Sequence, residues 1–157
     1  MTLAALPIPK GGQPAPPPPE QPAPRRSARS GKAVLVADDH PGNRQLVCQL
    51  LEFEGFARVH AVASGVAAIS AWEGSTYDVV LLDWHMPGLD GLEVVRRIRH
   101  LESRRTGPRS AVLMVTGRVS EADRAACLAA GADECVAKPY TPDELLDALD
   151  RALRCCG

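Results

Sequence analysis

Aromatic residues are scarce in this sequence, two each of Trp, Tyr and Phe among 157, and the formal net charge is only −1. So even a balance removes any whole-chain electrostatic case for binding nucleic acid or acidic substrates. No apolar run approaches the roughly 18 residues of a membrane-spanning helix. Met1 to Pro9 lacks a basic segment and its apolar run is broken by Pro7, which argues against a secretory leader. Five cysteines (Cys48, Cys127, Cys135, Cys155 and Cys156) form no C-x-x-C pair and no metal-like spacing with the four histidines. An odd number of mostly apolar-flanked thiols fits a reducing compartment, so a soluble, cytoplasmic protein without membrane insertion is expected. Cys155 and Cys156 read as exposed thiols.

Proline is the exception to this plainness: of 14, nine lie between Pro7 and Pro24, four of them consecutive from Pro16 to Pro19. Large apolar residues are almost missing after Ile8, so this stretch cannot bury enough surface to offset its ordering entropy. Proline biases it toward extended polyproline II. Lys10, Arg25, Arg26, Arg29 and Lys32 face only Glu20, which gives the first 32 residues +4 and leaves −5 for the remainder. Residues 1–31 are therefore expected to form a disordered, basic, proline-rich tail, and residues 32–157 a single acidic domain. The tail is either a spacer or a ligand for a proline-reading module. Beside such a domain the chain has no room for a DNA-binding or enzymatic output domain.

From Lys32 onward short apolar runs alternate with amphipathic stretches. Strands are expected at Ala33–Ala37, Ala57–Val62, Asp78–Asp83, Ala111–Val115 and Glu134–Ala137. The helix opened by Pro41 shows Leu46, Val47, Leu50 and Leu51 as its apolar stripe, and Gly55 ends it. Ser64 caps a helix through Trp72, with Val66, Ala67, Ile69 and Ala71 free to pack. Asp90 with Glu93 opens a helix to about Leu101, and Ser120 opens one that stops before Gly131. Thr141-Pro142-Asp143-Glu144 is a complete start signal for the last, whose core face is Leu145, Leu146, Leu149 and Leu153. Five such β/α pairs imply right-handed crossovers and a parallel sheet covered on both faces, a three-layer, doubly wound α/β fold.

Ligands of such sheets bind beyond the carboxyl ends of the strands. There the sequence puts Asp38 and Asp39 after the first strand, Asp83 after the third, Thr116 after the fourth and Lys138 after the fifth. Two carboxylates ~4 Å apart repel by about 4 kcal/mol at an effective dielectric near 20, so three need a cation or raised pKa values. An oxygen-only ligand set with room for water suits Mg²⁺. Taken singly, either Asp38 or Asp39 would serve as a helix cap, Thr116 as turn chemistry and Lys138 as a surface charge.

The segments VLVADDHPGNR, VVLLDWHMPGLDG, VLMVTG and VAKPY, in that order, resemble the receiver domain of two-component response regulators over about residues 32–154. The resemblance implies a flavodoxin-like (βα)5 fold with strand order 2-1-3-4-5. It implies a phosphorelay role: Asp83 takes a phosphoryl group from a histidine kinase or a histidine phosphotransfer protein. By the same match Asp39, Asp83 and the backbone carbonyl of His85 ligate Mg²⁺, and Asp38 does so through water. Lys138, after which a cis peptide is implied, pairs with the phosphoryl oxygens, and Thr116 swings in to bond one of them. The domain then catalyses only its own phosphorylation and dephosphorylation and is no enzyme toward other substrates. His40 and Asn43 are similar to receivers attached to hybrid sensor kinases, which leaves free-standing regulator and hybrid-kinase receiver both open.

One departure and two side readings matter. Cys135 stands where the family has an aromatic residue three positions before the lysine, while Tyr140 follows the Lys-Pro pair. His85 and Arg118, each two residues beyond a site residue, either overhang the phosphoryl group and set its lifetime or simply face solvent. Arg96, Arg97, Arg99, His100, Arg104, Arg105 and Arg109 form a basic run read as a solvated face rather than a nucleic-acid patch. Trp72 reads as core and Trp84 as a reporter of the site. The enzyme rival is a Mg-dependent haloacid-dehalogenase-like phosphatase with Asp83 as nucleophile, but that chemistry needs a second aspartate where this chain has His85. A flavodoxin-like FMN binder lacks its hydroxyl-rich phosphate loop after the first strand.

Overall fold

The computed structural model describes Gly11 and residues 26–156, so the stretch before Arg26, which holds most of the expected tail, lies outside the described residues apart from Gly11. Strands β1 (Ala33–Ala37), β2 (Arg58–Val62), β3 (Val79–Asp83), β4 (Ala111–Thr116) and β5 (Glu134–Ala137) form one sheet in the order β2-β1-β3-β4-β5. Every pairing is parallel. This is the doubly wound arrangement expected from the β/α alternation.

Parallel strands covered on both faces must be apolar throughout, and β3 and β4 are buried at every position. The alternation of side chains splits them between two cores. Val34, Val36, Val79, Leu81, Leu113 and Val115 point to one face, where α2 (Pro41–Phe53) and α6 (Pro142–Cys155) bring Val47, Leu51, Leu145 and Leu149. Leu35, Ala37, Val80, Leu82 and Met114 point to the other, covered by α3 (Gly65–Gly74), α4 (Gly91–Glu102) and α5 (Glu121–Ala130). Trp72 sits in that second core, as expected, and its indole N–H donates to Ser110 Oγ at 3.1 Å.

The helices begin where their caps dictate. Asp90 with Glu93, Ser120 with Asp123 and Thr141 with Glu144 each form a reciprocal capping box. Gly131, at φ 108°, closes α5 in the left-handed conformation that a side chain would resist.

Two apolar residues depart from the expected stripes. Leu46 on α2 is 67% exposed and so is Val66 on α3. Leu46 lies on the flank of α2, about 100° from Val47, whereas Val66 lies roughly 140° round α3 from the line through Ala68 and Trp72 that meets the sheet. The basic run is only in part a solvated face. Arg99 donates to Gly131 O, Ser110 O, Glu102 and Asp133, Arg109 pairs with Asp133, and Arg105 lies over the Trp72 ring.

Arg29 was expected in the tail. Instead it ends the one-turn helix α1 (Arg26–Arg29) and is wholly buried. Its guanidinium bonds Asp150 through Nε and Nη2 at 3.0 and 2.8 Å and Glu54 through Nη1 at 2.7 Å. Ser30 follows with an antiparallel bridge to Phe56. The folded unit thus takes in residues before Lys32, because a buried charge is held by two carboxylates far away in sequence. Local composition carries no trace of such pairing.

Candidate functional site

All the sequence-marked polar residues emerge at the carboxyl edge of the sheet. β1 runs into Asp38 and Asp39, β3 ends on Asp83, β4 on Thr116, and Lys138 follows β5. Carboxylate oxygens of Asp38, Asp39 and Asp83 all lie within 4.8 Å of one another. Asp38 and Asp83 are buried and Asp39 is exposed. Lys138 Nζ sits 3.4 Å from both Asp38 Oδ2 and Asp83 Oδ1. The Lys138–Pro139 peptide is cis, as the resemblance implied.

Neither aspartate is spent on helix capping. His40 takes that role: its Nδ1 accepts from Asn43 N at 3.3 Å, and Pro41 fills the first helical position. Asp38 is oriented instead by His40 N, which donates to its Oδ1 at 2.8 Å. Arg44, one turn into α2, donates to the Asp38 carbonyl at 2.7 Å and so braces the acidic turn from below. That positioning role went unnoticed in the sequence, where an arginine in the first turn of a helix gives no signal beyond its charge.

On the other side, α4 starts unusually near the end of β3. Gly91 N donates to Trp84 O at 2.8 Å, and a Cβ on Gly91 would lie 2.5 Å from Asp83 O. Glycine is therefore required there for the loop after Asp83 to close.

One ammonium does not balance three carboxylates. Burial, opposed by Lys138 and reinforced by Asp38 and Asp39, holds the Asp83 carboxyl above the ordinary carboxylate range. Burial also works against the charge on Lys138, but Asp83 and Asp38 outweigh it and raise the ammonium above its usual value. The pocket keeps an excess of negative charge, which is what a hard divalent cation with oxygen ligands compensates. The residues present fit such an ion.

Thr116 is buried, but its hydroxyl is engaged with the loop after β4. It donates to Arg118 O at 3.0 Å and receives Arg118 N at 3.4 Å. His85 and Arg118 are exposed and share a cleft with Trp84, Thr116, Gly117 and Asp123. The Trp84 and His85 rings stack at 6.0 Å along its rim.

Fold and site together define a doubly wound α/β domain with an acidic, lysine-closed pocket where β1, β3 and β5 end. Residues 34–150 match the response regulator receiver domain family, and the chain belongs to that family. Over 124 residues it is 40% identical to the virulence sensor protein BvgS of Bordetella pertussis, covering 76% of this chain and 10% of that protein. Over 124 residues it is 42% identical to the transcriptional regulatory protein TcrA of Mycobacterium tuberculosis, covering 79% of this chain and 46% of that one. The chain thus spans less than half the length of these relatives. Among solved structures, the receiver domain of the Pseudomonas aeruginosa sensor histidine kinase PA1611, with a magnesium ion coordinated in its active-site cleft, is 34% identical. The match covers 80% of this chain and 99% of that one at a TM-score of 0.69. The Vibrio cholerae chemotaxis protein CheY4 matches at 29% identity and a TM-score of 0.71, over 78% of this chain and 99% of its own. Among the described residues no helix is long and apolar enough to cross a membrane.

Proposed function

We propose that Asp83 is the phospho-acceptor of a phosphorelay, and that its donor is the phosphohistidine of a histidine kinase or phosphotransfer protein. The observation that carries this reading is Lys138 Nζ at 3.4 Å from both Asp38 and Asp83, with Asp39 alongside, at the carboxyl edge of the sheet. Asp83 Oδ attacks the donor's phosphorus, the P–N bond breaks, and an acyl phosphate forms. Phosphoryl transfer of this kind needs positioning and charge neutralisation more than covalent help. Lys138, already fixed between two carboxylates, meets the incoming phosphoryl oxygens. Thr116 leaves Arg118 and turns its hydroxyl inward to bond one of them, so the loop after β4 has one arrangement before transfer and another after it. Asp39, Asp83 and the His85 carbonyl would hold Mg²⁺, with Asp38 acting through water. When bound, the ion neutralises charge between the carboxylates and the phosphoryl oxygens.

The chain's chemistry is then confined to its own phosphorylation and dephosphorylation, in a cytoplasmic protein. The stretch before Arg26 acts as its tether. The phosphatase alternative is not favoured, since His85 occupies the place of its second aspartate and the family is that of receivers.

Incubation with Mg²⁺ and a small phosphodonor tests the reading. Intact mass should rise by one phosphoryl group, the adduct should be alkali-labile, and Trp84 emission should change. Asp83→Asn should abolish all three. An adduct that persists in Asp83→Asn, or sustained turnover of an unrelated phosphoester, overturns the assignment.

A further inference from the structure

Two buried thiols touch each other on the face of the domain that carries Thr116. Cys127, in the middle of α5, and Cys135, on β5 beside Met114, bring their sulfurs to 3.4 Å. Both are excluded from solvent, and the phosphoryl chemistry uses neither. A disulfide requires a sulfur separation of about 2.05 Å, so each side chain has only a fraction of an ångström to travel. From this geometry we infer that Cys127 and Cys135 are a dithiol site, oxidised by hydroperoxides to an intrachain disulfide that pins α5 to β5.

The pair is differentiated. Cys127 donates its S–H to Cys135, and that hydrogen bond holds the Cys135 thiol below the ordinary range while it pushes Cys127 up. Cys135 is therefore the sulfur that reacts first. Its thiolate attacks the peroxide oxygen, the O–O bond breaks, Cys135 becomes a sulfenic acid, and an alcohol or water leaves with the proton that Cys135 gave up. Cys127, losing its proton, attacks the sulfenic sulfur and expels water. Two thiols and one hydroperoxide thus give one disulfide, one alcohol and one water, with the peroxide as the oxidant.

Buried thiols react only if the structure opens. α5 is built to allow that, because its fully buried residues are just Cys127 and Ala130. A helix so lightly anchored samples open states at little cost. Closing the disulfide removes those states and restrains the helix that follows the Thr116 loop.

The wild-type full chain is treated with hydrogen peroxide, quenched with N-ethylmaleimide after unfolding, and digested with trypsin. The peptide Ala125–Arg151 carries Cys127 and Cys135 and no other cysteine. It should become lighter by two hydrogens, take up no maleimide, and regain both sites after dithiothreitol. The link should persist in Cys48→Ser/Cys155→Ser/Cys156→Ser, and amide exchange across Glu121–Ala130 should slow about tenfold or more in the oxidised chain. The inference is overturned if that peptide takes two maleimides, if Cys135 ends as sulfinic or sulfonic acid with Cys127 still free, if the link vanishes in the triple variant, or if exchange in α5 is unchanged. None of these readouts involves Asp83, so this inference and the phospho-acceptor reading fail independently.

Discussion

Helices α5 and α6 begin in the same way and are held in very different ones. Each opens with a hydroxyl residue that exchanges hydrogen bonds with an acid three residues on, Ser120 with Asp123 and Thr141 with Glu144. α6 then buries Leu145, Leu146, Ala148, Leu149 and Ala152, while α5 buries Cys127 and Ala130 alone. Local start signals are thus equal, and anchoring differs by the whole worth of three leucines. Most helix stability in a protein comes from such packing rather than from propensity. What the contrast teaches is where this domain can move: at α5, beside the Thr116 loop, while α6 on the opposite face is held firm.

The sharpest way to break the contrast is to weaken the firm side. Leu149→Ala should cost about 2–5 kcal/mol of unfolding free energy in urea, whereas Cys127→Ala in α5 should cost only ~1 kcal/mol. Equal losses would show that α5 is anchored as firmly as α6. Next in size is Arg29→Ala, which frees Asp150 of α6 and Glu54, the residue after α2, from their shared guanidinium. Both carboxylates still reach water, so the expected loss is roughly 1–3 kcal/mol, below that of a fully enclosed pair. A change within the error of denaturant titration would mean that α1 adds nothing to the fold. On the mobile side, His85→Ala and Arg118→Ala should each shorten the lifetime of the phosphorylated form about threefold, by admitting water over the acyl phosphate. Unchanged decay of the mass adduct would show that both side chains merely face solvent. The smallest effect concerns the α5 cap. The Ser120 hydroxyl, ahead of its backbone N–H, holds the Asp123 carboxyl below its ordinary pKa. This contribution to the helix start is present above the ordinary carboxylate pKa and is lost as pH falls through the depressed value. Ser120→Ala should move the Asp123 titration, read by carbon-13 NMR, back up toward the ordinary value.

Strands were legible because parallel strands buried on both faces are runs of apolar residues, as Val79–Asp83 is. Helix starts were legible because capping boxes are local, with donor and acceptor three residues apart. The site was legible for a related reason: a parallel sheet delivers every strand's last residue to one edge, so Asp38, Asp83, Thr116 and Lys138 could be grouped without knowing any distance. What escaped notice depends on residues remote in sequence. Arg29 needs Asp150 and Glu54, Arg99 needs Asp133 and Gly131, and the Cys127–Cys135 contact needs the turn at Gly131 to fold one element onto the next. The capping of α2 by His40 was missed for another reason. Two aspartates stood just before it, and a histidine competes poorly with them on propensity alone.

The Arg29 anchor decides the direction from which the domain is held. It joins α1 to the end of α6 and to Glu54 just after α2, and the chain then runs through Ser30, which bridges to Phe56, into the first residues of β1. Asp83 and Lys138 emerge where the strands finish. A force applied to the chain at Arg26 would therefore act where the strands begin, at the opposite edge of the sheet from the acidic mouth formed by Asp83 and Lys138.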